Sequence, residues 1–144
     1  MNAHPQTTLM IVKPDAVQCG RIGAILDRAE RAGFRVLDLR MLRWSPDEAS
    51  VFYAMHRGRP FFGGLVRFMT SGPIVAAVLE RADAVQQLRA LIGPTDSTKA
   101  PAGTLRADFG TDERRNAVHA SDSPGSAGRE IALVFGRPGQ PSPA

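Results

Sequence analysis

The chain has a single cysteine, Cys19, in 144 residues. No disulfide can form within it, and a reducing, cytoplasmic setting is expected. Lysine is almost as scarce: Lys13 and Lys99 are the only two among 18 basic residues. No apolar run approaches the roughly 20 residues that cross a bilayer. Residues 1–8 are polar and lack the apolar segment of a secretory signal, so neither export nor membrane insertion is expected. A Gly-x-x-x-x-Gly-Lys-[Ser/Thr] loop is missing, as is Gly-x-Gly-x-x-Gly after a strand-like stretch. One cysteine, three scattered histidines and no His-Glu-x-x-His leave no familiar metal-ligand spacing. No serine sits in a nucleophile elbow. If this chain handles phosphates, side chains must hold them.

What is present is ordinary for a globular protein: 43% apolar and 22% charged residues, with a formal charge of +4. One domain over residues 1–144 is expected, with a core at about 8–136 and a Pro/Gly-rich tail at 137–144. The arginines are scattered and not interleaved with aromatics, which favours phosphate-bearing small molecules over a specific nucleic-acid surface.

Apolar periodicity predicts a strand over 7–13, stopped by Pro14, and a helix over 22–32 closed by Gly33. A second strand follows over 34–44, with Leu37, Leu39 and Met41 on one face and Asp38 and Arg40 on a wet one. Ser45-Pro46-Asp47-Glu48 starts a helix by a capping box, and that helix carries Tyr53 and His56 three residues apart. A short helix over 61–70, a central strand over 74–79 and a helix capped by Asp83 and Gln86 come next. Residues 93–115 show no periodicity, and loops of that length in compact domains tend to be functional. A short strand then leads to His119, and a last helix runs over 126–135 behind an N-cap at Asp122 or Ser123 with Pro124 at its first position. The order predicts an α+β, ferredoxin-like split β-α-β sandwich: a four-stranded antiparallel sheet with an inserted helical pair and a C-terminal helix.

The stretch Asn116-Ala117-Val118-His119-Ala120-Ser121-Asp122-Ser123 sets a histidine where a strand stops, and a free imidazole is a good nucleophile. Lys13 ends the first strand, either reaching solvent or aimed at an anion. Arg89, Thr95, Arg106 and Asn116 could meet phosphates or hydroxyls, and Phe61 could stack on a base. Glu130 could orient the imidazole. Singly, each has a plainer reading as core, cap or surface charge; together they fit one reaction.

These residues fall in motifs that resemble the nucleoside diphosphate kinase family, in its short bacterial form. The motifs are Lys13-Pro14-Asp15, Tyr53, Arg59-Pro60-Phe61-Phe62, Ser71-Gly72-Pro73, Gly103-Thr104-Leu105-Arg106-Ala107-Asp108-Phe109 and the His119 stretch. The resemblance implies reversible, ping-pong transfer of a nucleoside triphosphate's γ-phosphate to a nucleoside diphosphate through a phosphohistidine on His119. It gives catalytic roles to Lys13, Tyr53 and Glu130, with Ser121 helping to hold the ring, and phosphate contacts to Arg89, Thr95 and Arg106. Lys13 and Asn116 would bond the ribose and Phe61 the base, with broad use of bases because stacking is tolerant. Mg²⁺ is expected on the phosphates rather than on protein ligands, and the chain is expected to form a homo-oligomer, tetramer or hexamer. A nucleotide-binding regulator that has lost turnover is the alternative. Two departures stand out. Ala120 replaces a usual glycine, a source of strain if that position needs positive φ. Asp96 replaces a usual asparagine, adding negative charge beside Thr95.

Overall fold

The structure is a computed structural model and describes residues 5–136. The expected tail at 137–144 lies outside the described residues. Four strands form one antiparallel sheet in the order β2-β3-β1-β4, with β1 at Pro5–Val12, β2 at Arg35–Leu42, β3 at Ile74–Ala82 and β4 at Val118–Ala120. This is the predicted ferredoxin-like order, with the two central strands, β1 and β3, the most apolar.

Both faces of the sheet are covered because β1 and β3 are apolar at every central position, so alternation sends half of each strand to either side. Met10, Val12, Ala77 and Leu79 meet α2 (Ile22–Arg31) and α5 (Ala84–Ile92) on one face. Leu9, Ile11, Ala76 and Val78 meet aromatics around α3 (Pro46–Phe52) and the end of α7 (Pro124–Phe135) on the other. The inserted pair is α3 and α4 (Phe62–Met69). Two short helices complete the set, α1 (Pro14–Gln18) and α6 (Leu105–Phe109). None of the helices is long and apolar enough to cross a membrane among the described residues.

Several local expectations change. The first strand ends at Val12, and Lys13 becomes the N-cap residue of α1, with Pro14 at its first position. The helix predicted to carry Tyr53 and His56 stops at Phe52; Tyr53 is its C-cap, and His56 sits in a separate 3₁₀ turn. Asp83 occupies the N-cap of α5 in a left-handed conformation (φ 54°) and makes no capping bond. Gln6 on β1 reaches over instead and accepts from the Val85 N–H. The long loop contains a 3₁₀ turn at Ser97–Lys99 and helix α6, both too short to give a periodic signal.

Strand β2 also differs. Leu37, Leu39 and Met41 are exposed, as is Asp38, whereas Arg40 is half-buried; β2 is an edge strand, and a bulge between Val36 and Asp38 shifts its register against β3.

The capping box at Ser45 is complete, with the Ser45 hydroxyl accepting from the Glu48 N–H and the Glu48 carboxylate accepting from the Ser45 N–H. Ser45→Ala is expected to cost about 1 kcal/mol of stability, read as a lower urea midpoint with an unchanged slope.

Candidate active site

Strand β4 is three residues long, and alternation decides where its histidine goes. Val118 and Ala120 face α2 and α5, so His119, paired with Ile11 on β1, points to the opposite face. There its ring meets Phe52 edge-on at 5.2 Å and Tyr53 at 6.0 Å between centroids. The imidazole side chain keeps 17% of its surface exposed, so it remains reachable.

The ring is fixed by α7. Nε2 lies 2.8 Å from Oε1 of Glu130, which also accepts a 2.7 Å bond from the Ser121 hydroxyl. Burial alone would raise the Glu130 carboxyl, but the His119 and Ser121 hydrogen bonds hold it below its usual value. An ionised carboxylate only accepts, so Nε2 carries the proton and donates it. Burial lowers the His119 pKa, outweighing the attraction of Glu130, and Lys13 and Arg106 push it the same way. The ring is therefore neutral at pH 7, with Nδ1 left as a lone pair.

Cations surround it. Burial, then the nearby Arg106 charge, lower the Lys13 pKa to about 7 against the pull of Asp15. The Lys13 ammonium donates to Oδ1 of Asn116 at 2.8 Å. The Asn116 amide in turn donates to the carbonyls of Thr95 and Glu113. Arg106, lowered to about 10 chiefly by burial, donates to the carbonyls of Gly93 and Val118. Arg89 donates to the Ala120 carbonyl at 3.3 Å. The two arginines thus hold the backbone on either side of His119. Arg106 Nε and the Tyr53 hydroxyl are buried with no hydrogen-bond partner. Burial raises the Tyr53 phenol, so at neutral pH it is a donor with nothing to donate to.

Most of the residues expected from sequence are brought together here: Lys13, Tyr53, Arg89, Arg106, Asn116, His119 and Glu130. Thr95 joins through its carbonyl rather than its hydroxyl, which is exposed. Phe61 is reached by a line of rings, Tyr53 stacked with His56 at 6.2 Å and His56 against Phe61 at 5.2 Å. Phe61 itself is 43% exposed.

The expected strain sits elsewhere. Positive φ among the described non-glycine residues occurs at Asp83 and Ala117, not at Ala120. Ala120 is regular strand, paired with Met10. Ala117 has φ 73°, and the Val118 N–H bonds back to the Asn116 carbonyl at 2.8 Å, a three-residue γ-turn of the strained kind. Such a conformation costs about 1–3 kcal/mol and persists only where neighbours over-determine it. The Ala117 carbonyl accepts from the Lys13 N–H, and its own N–H donates to the Asp15 carboxylate at 3.1 Å. Asp15 was missed as a site residue; its place in Lys13-Pro14-Asp15 was the available signal. Asp96 accepts from the Thr98 N–H and hydroxyl, so it caps the 3₁₀ turn at Ser97–Lys99.

A profile of the nucleoside diphosphate kinase family matches residues 6–138. A nucleoside diphosphate kinase of Aquifex aeolicus is 53% identical over 133 residues, 90% of this chain and 94% of that one. One from Staphylothermus marinus is 50% identical over 132 residues, 92% of this chain and 94% of its own length. Among solved structures, the Aquifex aeolicus kinase superposes with a TM-score of 0.90 at 52% identity, covering 92% of this chain and 96% of that one. A halophilic kinase from Halobacterium salinarum in complex with CDP gives 0.89 at 46% identity, covering 92% and 88%.

The buried ammonium has a thermodynamic signature. The unfolded chain keeps the Lys13 proton to near 10.5, whereas the folded chain releases it near 7, so between these values the unfolded state binds more protons. Stability from this group therefore rises with pH across that window. The urea-derived stability of wild type relative to Lys13→Met is expected to climb from pH 7 to pH 10.5. In Glu130→Ala, the loss of the carboxylate that favours imidazolium should move the His119 titration, followed by NMR, to lower pH.

Proposed function

The chain belongs to the nucleoside diphosphate kinase family and is a phosphotransferase acting on nucleotides; from that premise we propose that its transfer runs through His119. Nδ1 attacks the γ-phosphorus of a nucleoside triphosphate in line. The bond from that phosphorus to the β–γ bridging oxygen breaks, and the nucleoside diphosphate leaves. A terminal oxygen of a second diphosphate then attacks the phosphohistidine, the nitrogen–phosphorus bond breaks, and Nδ1 recovers its lone pair. Glu130 keeps the Nε2 proton in both halves, so the same nitrogen is presented each time.

The observation that carries this reading is the His119 ring with Nε2 held 2.8 Å from Glu130, near two buried donors without partners. Phosphoryl transfer asks for positioning and charge stabilisation more than for covalent help. Phosphate oxygens would satisfy the Tyr53 hydroxyl and Arg106 Nε, and Arg89 and Thr95 would join in holding them. Lys13 supplies charge to the moving group. Lys13 and Asn116, already bonded to each other, would share the ribose hydroxyls, and Phe61 would stack on the base. The CDP bound by the Halobacterium salinarum kinase is of the ligand class proposed here.

The donor set also fits Mg²⁺ that arrives with the nucleotide. Among the described residues no cluster of His, Cys, Asp and Glu could hold a metal ion, and Lys13, Arg89 and Arg106 near His119 suit phosphate oxygens rather than a bare cation. Bound to the phosphate oxygens, Mg²⁺ supplies further neutralisation of their charge.

The chain is proposed to work as one catalytic domain in the cytoplasm, where the exposed thiol of Cys19 suits a reducing medium. A homo-oligomer, tetramer or hexamer, is supported by the edge strand β2, which leaves Leu37, Leu39 and Met41 on the surface. The alternative of a regulator without turnover is set aside, since no catalytic group is missing.

Incubation with γ-labelled ATP is expected to place acid-labile label on the chain, which His119→Ala abolishes and His56→Ala retains. Glu130→Gln should lower kcat by roughly 10- to 100-fold, the scale of one lost hydrogen bond to a charged group. An acid-stable label, or one that survives in His119→Ala, would refute the route.

A further inference from the structure

Two walls lead outward from His119, one beginning at Tyr53 and the other at β4. On one, Tyr53, His56 and Phe61 follow each other outward as a chain of ring contacts. On the other, the backbone leads from His119 through Asn116 to a tight turn at 112–115. The walls touch at their outer end. The guanidinium of Arg114 lies against Gly64, in the first turn of α4 and three residues beyond Phe61. A β-carbon on Gly64 would stand 2.5 Å from Nη1 and 2.6 Å from Nη2 of Arg114, so glycine is what permits the approach.

Arg114 is held there by its own turn. The Asp112 carboxylate accepts from the N–H groups of Arg114 and Arg115 at 2.9 and 2.7 Å, and the Thr111 N–H donates to the Arg115 carbonyl at 2.6 Å. No described residue accepts a hydrogen bond from the guanidinium itself. A hydrogen-bonded turn therefore presents an unspent fork of N–H donors against α4, one helical turn beyond the ring on which a base would stack.

We propose that Arg114 reads the edge of the bound base and biases the enzyme toward guanine nucleotides. The inference rests on the preceding reading of Phe61 as the stacking residue. Guanine presents two adjacent acceptors, O6 and N7, that match the guanidinium fork. Adenine sets a donor beside its N7, and cytosine offers an amino group in place of O6. Stacking on Phe61 would accept every base, and Arg114 adds a preference on top of that tolerance.

The test compares kcat/KM of the full-length enzyme for GDP, for the GDP analogue with carbon in place of N7, and for CDP as acceptors with ATP as donor. Wild type is expected to favour GDP over the analogue by at least about fivefold, the discrimination of one charge-assisted bond. Arg114→Ala should bring that ratio near one. Gly64→Ala should do the same with Arg114 still present, because the added methyl displaces the guanidinium while alanine favours the helix. Kd values for the same diphosphates, by calorimetry, should follow the same ratios. Equal use of GDP and the analogue by wild type, or equal losses on all three acceptors in Arg114→Ala, would overturn the proposal and leave the phosphohistidine route standing. Failure of wild type to take up label from γ-labelled ATP would overturn both.

Discussion

The hydrogen bond from His119 Nε2 to Glu130 is the interaction on which the rest of this molecule turns. It decides which ring nitrogen carries the proton, and so which one can attack phosphorus. It also fixes the plane of the ring, because the same carboxylate oxygen is held by the Ser121 hydroxyl. The bond needs β4 and α7 to sit at a set separation, and the sequence provides for that directly. Only four residues lie between His119 and the proline that begins α7, and Ser123 caps that helix by accepting from the Ser126 N–H. The nucleophile and its orienting group thus belong to one short strand-turn-helix unit, laid across a sheet whose centre is fully apolar.

Around that unit the protein accepts local cost. Lys13 and Arg106 are nearly buried, and their pKa values fall because charge is unwelcome there. Tyr53 and Arg106 keep donor groups without partners. Ala117 adopts a conformation that favours glycine, fastened by Lys13 and Asp15. The strained Ala117 and the partnerless Tyr53 hydroxyl and Arg106 Nε lie around the histidine, while the Thr8 and Ser97 hydroxyls and one Asp15 oxygen also lack partners and Asp83 is left-handed elsewhere among the described residues. Buried cations and donors without partners are what a preformed anion site requires, because an anion bound beside them would offset their cost.

Much of this was legible from residues alone. Strands β1 and β3 announce themselves by unbroken apolar runs, α7 by Ser123 and Pro124, and the histidine by the small polar residues that follow it. Motifs then identified the family and most of the site. What stayed hidden has physical reasons. Alanine carries no mark of positive φ, so Ala117 looked regular and suspicion fell on Ala120. Helix α6 spans five residues, less than two turns, and no period can be counted over it. Strand β2 alternates as a buried strand would, but an edge position and one bulged residue leave Leu37 and Leu39 on the surface. Asp15 makes its contact with Ala117, 102 residues along the chain, and no local pattern reports a partner that distant.

The pairing of His119 with Ile11 has one further consequence. In a strand, neighbouring side chains alternate sides, so a one-residue insertion or deletion between Ala117 and His119 would swing the imidazole into the oily layer beneath α2 and α5. The loop at 93–115 can grow or shrink without that penalty. Drift in chain length should accordingly accumulate upstream of Asn116 and stop abruptly there, leaving the final approach to the histidine a segment whose spelling can vary but whose parity cannot.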